Sequence, residues 1–447
     1  MSFESVVDEI QRQVVPDDAE RRALESAVEG LTDRAAAAIG SLPVAADTKL
    51  VGSTARGTWL AGDRDIDLFV LFPPDLERSE LERYGLEVGH AVLPDGHEEF
   101  AEHPYVKGEI HGFDVDCVPC YAVEQATEIR SAVDRTPFHS TYLEGRIEPI
   151  ADDVRVAKAF LSAIGAYGSD LRTKGFSGFL TELLVLEYGG FRAFIEAAAT
   201  WEPPVRIDPA DHGERSFEDP LVVIDPTDPE RNVAAVCSPR NVARLIHHAR
   251  ELRSAPGIER FEPRKPEPLS ADEVRTLLDA RATTPIAVRF ETPDIVDDQL
   301  YPQLEKSLEG IEGALERAGF EPLRSACFAN DEAVLLVECA VPELSAVARH
   351  DGPPVGVREH AEGFYDAYRN DDVTGPFIDA EGRYVVERPR DARTPAELVR
   401  SMLFDVSLGP HVRASLSDAH AVLSGTELAT LAEPFGTELA TYFDPRP

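Results

Sequence analysis

The sequence predicts an α+β protein made of three consecutive parts. Residues 47–121 alternate short apolar strands with helical segments, which indicates a mixed sheet backed by helices. Residues 152–255 place apolar side chains at helical spacing, which predicts a helical middle part. Residues 286–403 alternate in the order β-α-β-β-α-β, which is typical of ferredoxin-like and RNA-recognition folds. Because 447 residues are too many for one hydrophobic core, several domains are expected.

The first part, residues 1–148, is predicted to contain the mixed sheet. Two helices are expected over residues 3–40. Apolar alternation then predicts a strand, a Gly-Ser turn with a short helix and a second strand within 47–72. The remaining predicted elements are a helix from Ser79 to about His90 and strands near 99–102 and over 109–121.

The middle part, residues 149–258, is predicted to be helical. Asp152 and Asp153 can cap a helix that ends near Gly165. Two further helices and a connecting loop follow: a helix over about 177–201, a loop rich in Pro and Asp over 202–235, and a helix that begins at Ser238-Pro239 and ends near Ala255.

A linker with four prolines, residues 256–270, leads into the third part, residues 270–447, which is predicted to be an α+β body with a tail. Ser270 and Glu273 have the spacing of a capping box, so a helix begins there. The predicted elements that follow are strand 286–291, helix 298–319, strands 321–328 and 333–341, helix 358–369, strand 382–387 and helix 395–403. The sequence contains no internal repeat.

Two aspartates at the start of an apolar strand are the strongest chemical signal in the chain. Asp65 and Asp67 alternate with apolar residues, so both side chains point to one face, about 7 Å apart along the strand. Such a pair can share a hard divalent cation. Gly52-Ser53, upstream, offers close backbone approach, a hydroxyl and free amides for a triphosphate. A lone pair of this kind is usually only solvated, but the combination predicts metal-assisted nucleotidyl transfer.

A third carboxylate is expected on a second strand, because two-metal phosphoryl transfer uses carboxylates from more than one strand. Asp114 and Asp116 alternate with Val115 and Cys117. Asp116 is the predicted third ligand, and Asp114 on the same face is the alternative. Cys117 and Cys120 have the spacing of a zinc or redox pair, but no second pair of this kind exists, so apolar packing is the favoured interpretation.

The charge balance excludes an ordinary basic nucleic-acid binder. The chain has 44 Lys and Arg against 82 Asp and Glu, a net charge of −38, and only six of the basic residues are lysine. This composition resembles that of proteins from organisms that accumulate salt, where molar salt shortens the Debye length to about 3 Å. The five cysteines give no disulfide framework. No signal peptide and no membrane span are predicted, so a cytoplasmic protein is expected.

The sequence resembles the archaeal-type (class I) CCA-adding enzymes, which are tRNA nucleotidyltransferases with a palm like that of DNA polymerase beta. The resemblance rests on motifs that occur in order over residues 50–245: GSTARGTWLAGDRDIDLFVLF, VDCVPCY, DRTPFH, YGSDLRTKGFSGFLTELLVLEYG and DPTDPERNVAA. The first motif marks only the nucleotidyltransferase superfamily. The later motifs are specific to the archaeal-type enzymes.

The resemblance implies an activity and a set of site residues. It implies addition of C, C and A to tRNA from CTP and ATP, repair of damaged CCA ends, Mg²⁺ on Asp65, Asp67 and Asp116, and a homodimer. The nucleotide-binding residues that it implies are Ser53, Arg56, Lys158 and Tyr167 for the triphosphate and sugar, His139 near the nucleotide, and Arg231 for the base edge, with Gly52, His103 and Thr136 in the same pocket.

Several alternatives remain open at this point. Arg56 is alternatively part of a surface salt bridge, Arg231 alternatively pairs with Asp225, Asp228 or Glu230, and an isolated histidine is more often structural. The alternative enzyme is another template-independent RNA nucleotidyltransferase that synthesises poly(A) or oligonucleotides. The alternative that is not an enzyme is an RNA-binding protein with a vestigial palm.

Overall fold

The computed structural model describes residues 1–100 and 102–447, which divide into two compact units. The first unit comprises residues 1–264 with Pro447, and the second comprises residues 265–446. The sheet and the helical segment predicted from the sequence both lie in the first unit. None of the helices within the described residues has the length and apolar character needed to cross a membrane.

A five-stranded mixed sheet forms the N-terminal half of the first unit. Its order is β1-β2-β5-β4-β3, with β2 and β5 parallel and every other pair antiparallel. The strands are β1 (Asp47–Val51), β2 (Asp65–Phe72), β3 (His97–Phe100), β4 (Pro104–Ile110) and β5 (Phe113–Tyr121). The predicted mixed sheet is confirmed. The strand predicted near 99–102 corresponds to β3, and the part of it at residue 101 lies outside the described residues.

Helices cover one face of this sheet because alternate strand residues are apolar. Ile66, Leu68 and Val70 of β2 point into a core shared with Leu31 and Val88 of the covering helices. The helices of the first unit are α1 (Phe3–Val14), α2 (Asp18–Ile39), α3 (Gly52–Arg56), α4 (Arg78–Val92), α5 (Thr136–Leu143), α6 (Ala151–Ala163), α7 (Gly178–Tyr188), α8 (Phe191–Ala198) and α9 (Pro239–Ser254).

The middle segment corrects two sequence predictions. The single helix predicted over 177–201 is two helices, α7 and α8, because Gly189 and Gly190 take φ values of 79° and 132° that end the first one. The loop predicted over 202–235 contains a small three-stranded sheet in the order β6-β7-β8. Its strands are β6 (Val205–Ile207), β7 (Leu221–Asp225) and β8 (Asp228–Asn232). The fully apolar run 221–224 was the signal for the buried central strand.

The second unit contains a four-stranded antiparallel sheet in the order β10-β11-β9-β15. If the four strands are renumbered 1 to 4 along the chain, their order across the sheet, starting from β15, is 4-1-3-2. This order and the β-α-β-β-α-β connectivity are ferredoxin-like, as predicted. The strands are β9 (Thr284–Glu291), β10 (Pro322–Ala329), β11 (Glu332–Cys339) and β15 (His420–Ser424). The associated helices are α10 (Ala271–Arg281), α11 (Asp297–Ala318), α13 (Pro395–Met402), α14 (Pro410–Asp418) and α15 (Ala432–Phe443).

The predicted last strand of this fold, 382–387, was assigned to the wrong sheet. It corresponds to β14 (Arg383–Pro389), which is the central strand of a separate sheet with β12 (Val347–Pro354) and β13 (Thr374–Ile378). Helix α12 (Arg358–Tyr368) packs on that sheet, so residues 347–389 form an insertion. The fourth strand of the ferredoxin-like sheet is β15, whose five residues follow two short helices and carry a weak signal.

Candidate active site

The predicted acidic residues form one row across the N-terminal sheet. In the parallel pair of β2 and β5, Asp65 lies opposite Asp114 and Asp67 opposite Asp116. On the other side of β5, Lys107 of β4 lies opposite Asp116. Since neighbours across a sheet point to the same face, the structure brings the carboxylates of β2 and β5 together on the face opposite the larger core, beside a small buried cluster that includes Phe69 and Cys120.

Helix α3 lies directly against this row. Gly52 has a φ of +75°, and a Cβ atom at this position would lie 2.0 Å from Oδ2 of Asp67. Thr54 donates a hydrogen bond from Oγ1 to the carbonyl of Asp65 at 2.5 Å. Only glycine therefore allows the turn to approach the Asp67 carboxylate this closely. Ser53, the next residue, lies half-buried in the same turn.

The three predicted ligands repel one another in the free protein. Burial, together with repulsion from the charges of Asp116 and Asp65, raises the pKa of Asp67 to about 6. Burial also raises the pKa of Asp65 and of Asp116, and Lys107 opposes the shift at Asp116. Oδ1 of Asp116 is buried without a hydrogen-bond partner and lies 3.6 Å from Nζ of Lys107. A divalent cation would relieve this repulsion and supply a partner for the unpaired oxygen.

The carboxylates fit a cation that takes further ligands from its substrate. Within residues 1–100 and 102–447, no three His, Cys, Asp or Glu side chains are arranged so that they could hold a metal ion by themselves. Magnesium keeps several waters and is usually held by one or two carboxylates together with substrate phosphates. An open row of carboxylates beside a glycine turn has the donor chemistry for that arrangement.

Two of the predicted cationic residues share one buried carboxylate. Glu182 of α7 is fully buried, and its Oε2 accepts a hydrogen bond from Nε of Arg56 at 2.8 Å. Its Oε1 lies 3.5 Å from Nζ of Lys158 and accepts a hydrogen bond from Thr58. Lys158 also donates to the carbonyl of Thr58 at 3.0 Å. Arg56 is thus held in a buried ion pair, and the alternative of a surface salt bridge does not apply.

Tyr167 lies beside this cluster, and Thr136 belongs to a helix that contacts it. Tyr167 follows α6 and forms a β-bridge with Phe176. Burial raises the pKa of its hydroxyl, with Glu182 as the next contribution. Thr136 is the first residue of α5, which is joined to α3 by a hydrogen bond from Nη1 of Arg56 to Oγ of Ser140 at 3.2 Å.

A second buried carboxylate, Asp225, joins His139 and Arg231. Oδ2 of Asp225 lies 2.8 Å from Nε2 of His139 and 2.7 Å from Nη1 of Arg231. The ring of His139 stacks on Phe179 with centroids 3.7 Å apart, and burial lowers the pKa of His139. Of the pairings considered for Arg231, the one with Asp225 is therefore present, while 35% of the Arg231 side chain stays exposed.

The structure does not bring His103 to the acidic row. His103 is buried with its Nδ1 3.5 Å from Oε1 of Glu82 and its ring edge-on to Tyr121. Tyr121 is the last residue of β5, five positions beyond Asp116, which is roughly 16 Å along a strand.

Glu182 is a site residue that the sequence analysis missed, and Asp225 was named there only as an alternative partner of Arg231. Each had a signal: Glu182 is an acid in a largely apolar stretch of α7, and Asp225 ends an apolar strand. Fully buried acids are almost always paired, so an acid at an apolar position predicts a buried cationic partner. The identity of that partner depends on contacts between residues far apart in the chain.

Replacing Glu182 by Gln is expected to destabilise the protein by about 3–5 kcal/mol, because Arg56 and Lys158 would be left buried without their anion. Thermal unfolding in molar KCl measures this effect. Glu187→Gln is the matched control, since Glu187 is exposed near the end of the same helix. Equal stability of the two variants would show that Glu182 does not hold the two cations.

Models of three protein families match consecutive stretches of the chain. They are a nucleotidyltransferase domain over residues 40–139, the second domain of tRNA nucleotidyltransferase over 152–262, and the C-terminal domain of the CCA-adding enzyme over 281–425. The first two stretches together contain every site residue predicted from the sequence, and also Glu182 and Asp225.

Whole-chain relatives agree with these matches. The CCA-adding enzyme of Haloarcula marismortui is 56% identical, covering 100% of this chain and 99% of that protein. The CCA-adding enzyme of Halobacterium salinarum is also 56% identical, with 99% of both chains covered. That of Methanoregula boonei is 44% identical over 89% of this chain and 87% of its own. The chain therefore belongs to the family of CCA-adding enzymes.

Proposed function

We propose that this protein adds C, C and A to the 3′ end of tRNA from CTP and ATP, releases pyrophosphate, and repairs damaged CCA ends. The observation that carries this proposal is the row of Asp65, Asp67 and Asp116 against the Gly52 turn, in a chain of the CCA-adding family. The cytoplasm is the proposed location, Mg²⁺ the proposed metal and a homodimer the proposed assembly. Residues 270–447 are proposed to bind the tRNA.

The carboxylate row is proposed to hold the metal. Bound Mg²⁺ would lower the pKa of the RNA 3′-hydroxyl and stabilise the charge that develops on the α-phosphate. Asp67 and Asp116, opposite each other in one strand pair, fix the spacing of the ligands. No covalent intermediate between enzyme and nucleotide is required, because the hydroxyl of the RNA is itself the nucleophile.

The turn and the buried cations are proposed to orient the triphosphate. Gly52 lies against the Asp67 carboxylate, so the amides of the Gly52-Ser53 turn and the Ser53 hydroxyl are the donors proposed for the phosphates. Nε and Nη1 of Arg56 are engaged by Glu182 and Ser140, so its remaining N–H groups are those left for a phosphate. Lys158 is 2% exposed and is proposed to act mainly by holding Thr58 and Glu182 behind the turn.

Arg231 is proposed to select the base. A guanidinium has only hydrogen-bond donors. Cytosine N3 and adenine N1 are acceptors at equivalent positions of the Watson–Crick edge, whereas uracil and guanine carry an N–H there. An arginine directed at this position favours the two bases of CTP and ATP and opposes the other two, with no nucleic-acid template.

The test of the proposed activity uses purified protein in molar KCl with tRNA that lacks its 3′ CCA. Addition of labelled CMP at two positions followed by one AMP, dependent on Mg²⁺, is the expected result. Poly(A) or oligonucleotide synthesis without tRNA would support the alternative enzyme, and tRNA binding with no incorporation would support a vestigial palm.

Replacing Arg231 by Ala is expected to reduce discrimination of CTP and ATP against UTP and GTP about ten-fold or more, since a bidentate arginine contact to a base edge is worth about 1–3 kcal/mol. Metal-dependent transfer should survive. Incorporation of each of the four nucleotides measures the effect. An unchanged preference profile combined with lower stability would mean that Arg231 serves only its ion pair with Asp225.

Metal binding at Asp67 is expected to weaken as the pH falls through about 6, because the raised pKa lets a proton compete with the cation. Calorimetric titration with Mn²⁺ between pH 5 and 8 gives the apparent affinity at each pH, with the range chosen to bracket that value. Affinity that stays constant over this range would place the metal elsewhere.

A further inference from the structure

The geometry points to Asp225 as a positioning residue that sets nucleotide selectivity by fixing the direction of Arg231 and the ring of His139. This inference rests on the proposed function. Asp225 is fully buried at the end of β7, and its Oδ2 receives both Nη1 of Arg231 at 2.7 Å and Nε2 of His139 at 2.8 Å. One oxygen atom therefore joins a residue of β8 to a residue of α5.

The other oxygen of Asp225 is held as firmly. Oδ1 accepts hydrogen bonds from the backbone N–H of Thr227 at 2.9 Å and from its Oγ1 at 2.7 Å. Burial alone would raise the pKa of Asp225, but the hydrogen bonds from His139 and Thr227 outweigh it and hold the pKa well below its usual range. The carboxylate is thus a permanent anion with one fixed orientation.

A fixed orientation matters because every base carries some hydrogen-bond acceptor. A mobile guanidinium could reach O4 of uracil or O6 of guanine as readily as N3 of cytosine, and it would then not discriminate. Arg231 has a long side chain that is 35% exposed and lines a cavity of about 880 Å³. Its ion pair with Asp225 removes much of the rotational freedom that such a side chain has in solution. Selectivity then comes from the direction of the remaining donors.

His139 is fixed by the same atom. Burial lowers the pKa of His139. Because the ionised Asp225 carboxylate can only accept hydrogen bonds, Nε2 of the ring is the donor in their contact at 2.8 Å. Phe179 stacks on one face of the ring with an interplanar angle of 7°. The ring can therefore neither flip nor tilt freely, and its position relative to Arg231 is set by Asp225.

The test compares Asp225→Asn with Asp208→Asn in the full-length protein in molar KCl. Asp208 is the matched control, because its carboxylate accepts hydrogen bonds from the backbone N–H groups of His212 and Gly213 in the same region and contacts neither Arg231 nor His139. The readout is the ratio of kcat/KM for CTP to that for UTP on tRNA that lacks CCA. We expect Asp225→Asn to lower this ratio about ten-fold, with the KM for tRNA unchanged, and Asp208→Asn to leave it unchanged.

A double variant shows whether Asp225 acts through Arg231. If it does, Asp225→Asn combined with Arg231→Ala has the same ratio as Arg231→Ala alone, because the effects of coupled residues do not add. A wild-type ratio in Asp225→Asn, or a double variant whose loss is the product of the two single losses, would overturn the inference.

The Thr227→Val variant and CMP addition by the wild-type protein complete the test of Asp225. If Asp225→Asn does not fold, Thr227→Val removes one hydrogen bond from Oδ1 and should lower the ratio in the same direction but less. A folded Thr227→Val protein with the wild-type ratio would also contradict the inference. Failure of the proposed function shows separately, as absence of CMP addition by the wild-type protein.

Discussion

Replacing Asp67 by Asn is expected to reduce addition of both CMP and AMP by several powers of ten, while tRNA binding remains nearly unchanged. The carboxylate is proposed to act only on the metal and the reacting phosphate, so its loss removes stabilisation of the transition state. Asp116→Asn should behave in the same way, because Asp116 lies opposite Asp67 in the parallel strand pair. Single-turnover rates and filter binding of tRNA measure the two effects independently.

The melting temperature shows whether the Asp67→Asn variant is inactive because it lacks a metal ligand or because it is misfolded. The pKa of Asp67 is raised from its ordinary value of 3.8 to about 6, so in the metal-free protein its ionised form destabilises the fold as the pH rises through that interval. Asp67→Asn should therefore melt at the same temperature as the wild type or higher at pH 7. Asp114→Asn is the control, since Asp114 is exposed and lies opposite Asp65. An inactive Asp114→Asn protein beside an active Asp116→Asn protein would make Asp114 the third ligand.

Low ionic strength is expected to unfold or inactivate the protein, and molar KCl is expected to restore it. The net charge is −38, and only six of the basic residues are lysine, so repulsion between carboxylates is strong when it is not screened. The Debye length falls from about 30 Å at 0.01 M to about 3 Å at 1 M, so carboxylates that repel one another in dilute buffer no longer do so in molar salt. Circular dichroism and CMP addition, followed across a KCl series, measure the two responses.

Sucrose provides the control for this experiment, because it favours compact states without screening charge. Full recovery in sucrose at low salt would mean that solvent exclusion, and not charge screening, stabilises the protein. Activity that is highest in dilute buffer and declines steadily with added KCl would contradict the expectation.

The acidic row was predictable because its pattern is local. Asp65 and Asp67 alternate within one strand, as do Asp114 and Asp116, and strand periodicity alone places each pair on one face. Which aspartates lie opposite each other depends on the register of β2 against β5. The apolar residues that alternate with the aspartates fix this register, because they must point into the core. Most helices and strands of both units could be placed for the same reason, since their apolar spacing is regular over many residues.

The pairing of Arg231 with Asp225, six residues away, was among the alternatives considered from the sequence. The contacts of Glu182 and the one between Asp225 and His139 could not be predicted because they are not local. Glu182 is 126 residues from Arg56, and Asp225 is 86 residues from His139. An acid in an apolar segment indicates that a partner exists, but only the packing of α7 on α3 and of β7 on α5 identifies it. The strand β15 was missed for a related reason, because its pairing with β9 is fixed by a core assembled from distant segments.

The opposed position of Asp67 and Asp116 makes the candidate metal site inseparable from the hydrophobic core. Val115 and Cys117 point into the core, and Asp116 between them points to the other face. A single residue inserted into β5 would slip the strand and turn the acids inward and the apolar side chains to water. Selection for a stable core therefore also preserves the carboxylate geometry.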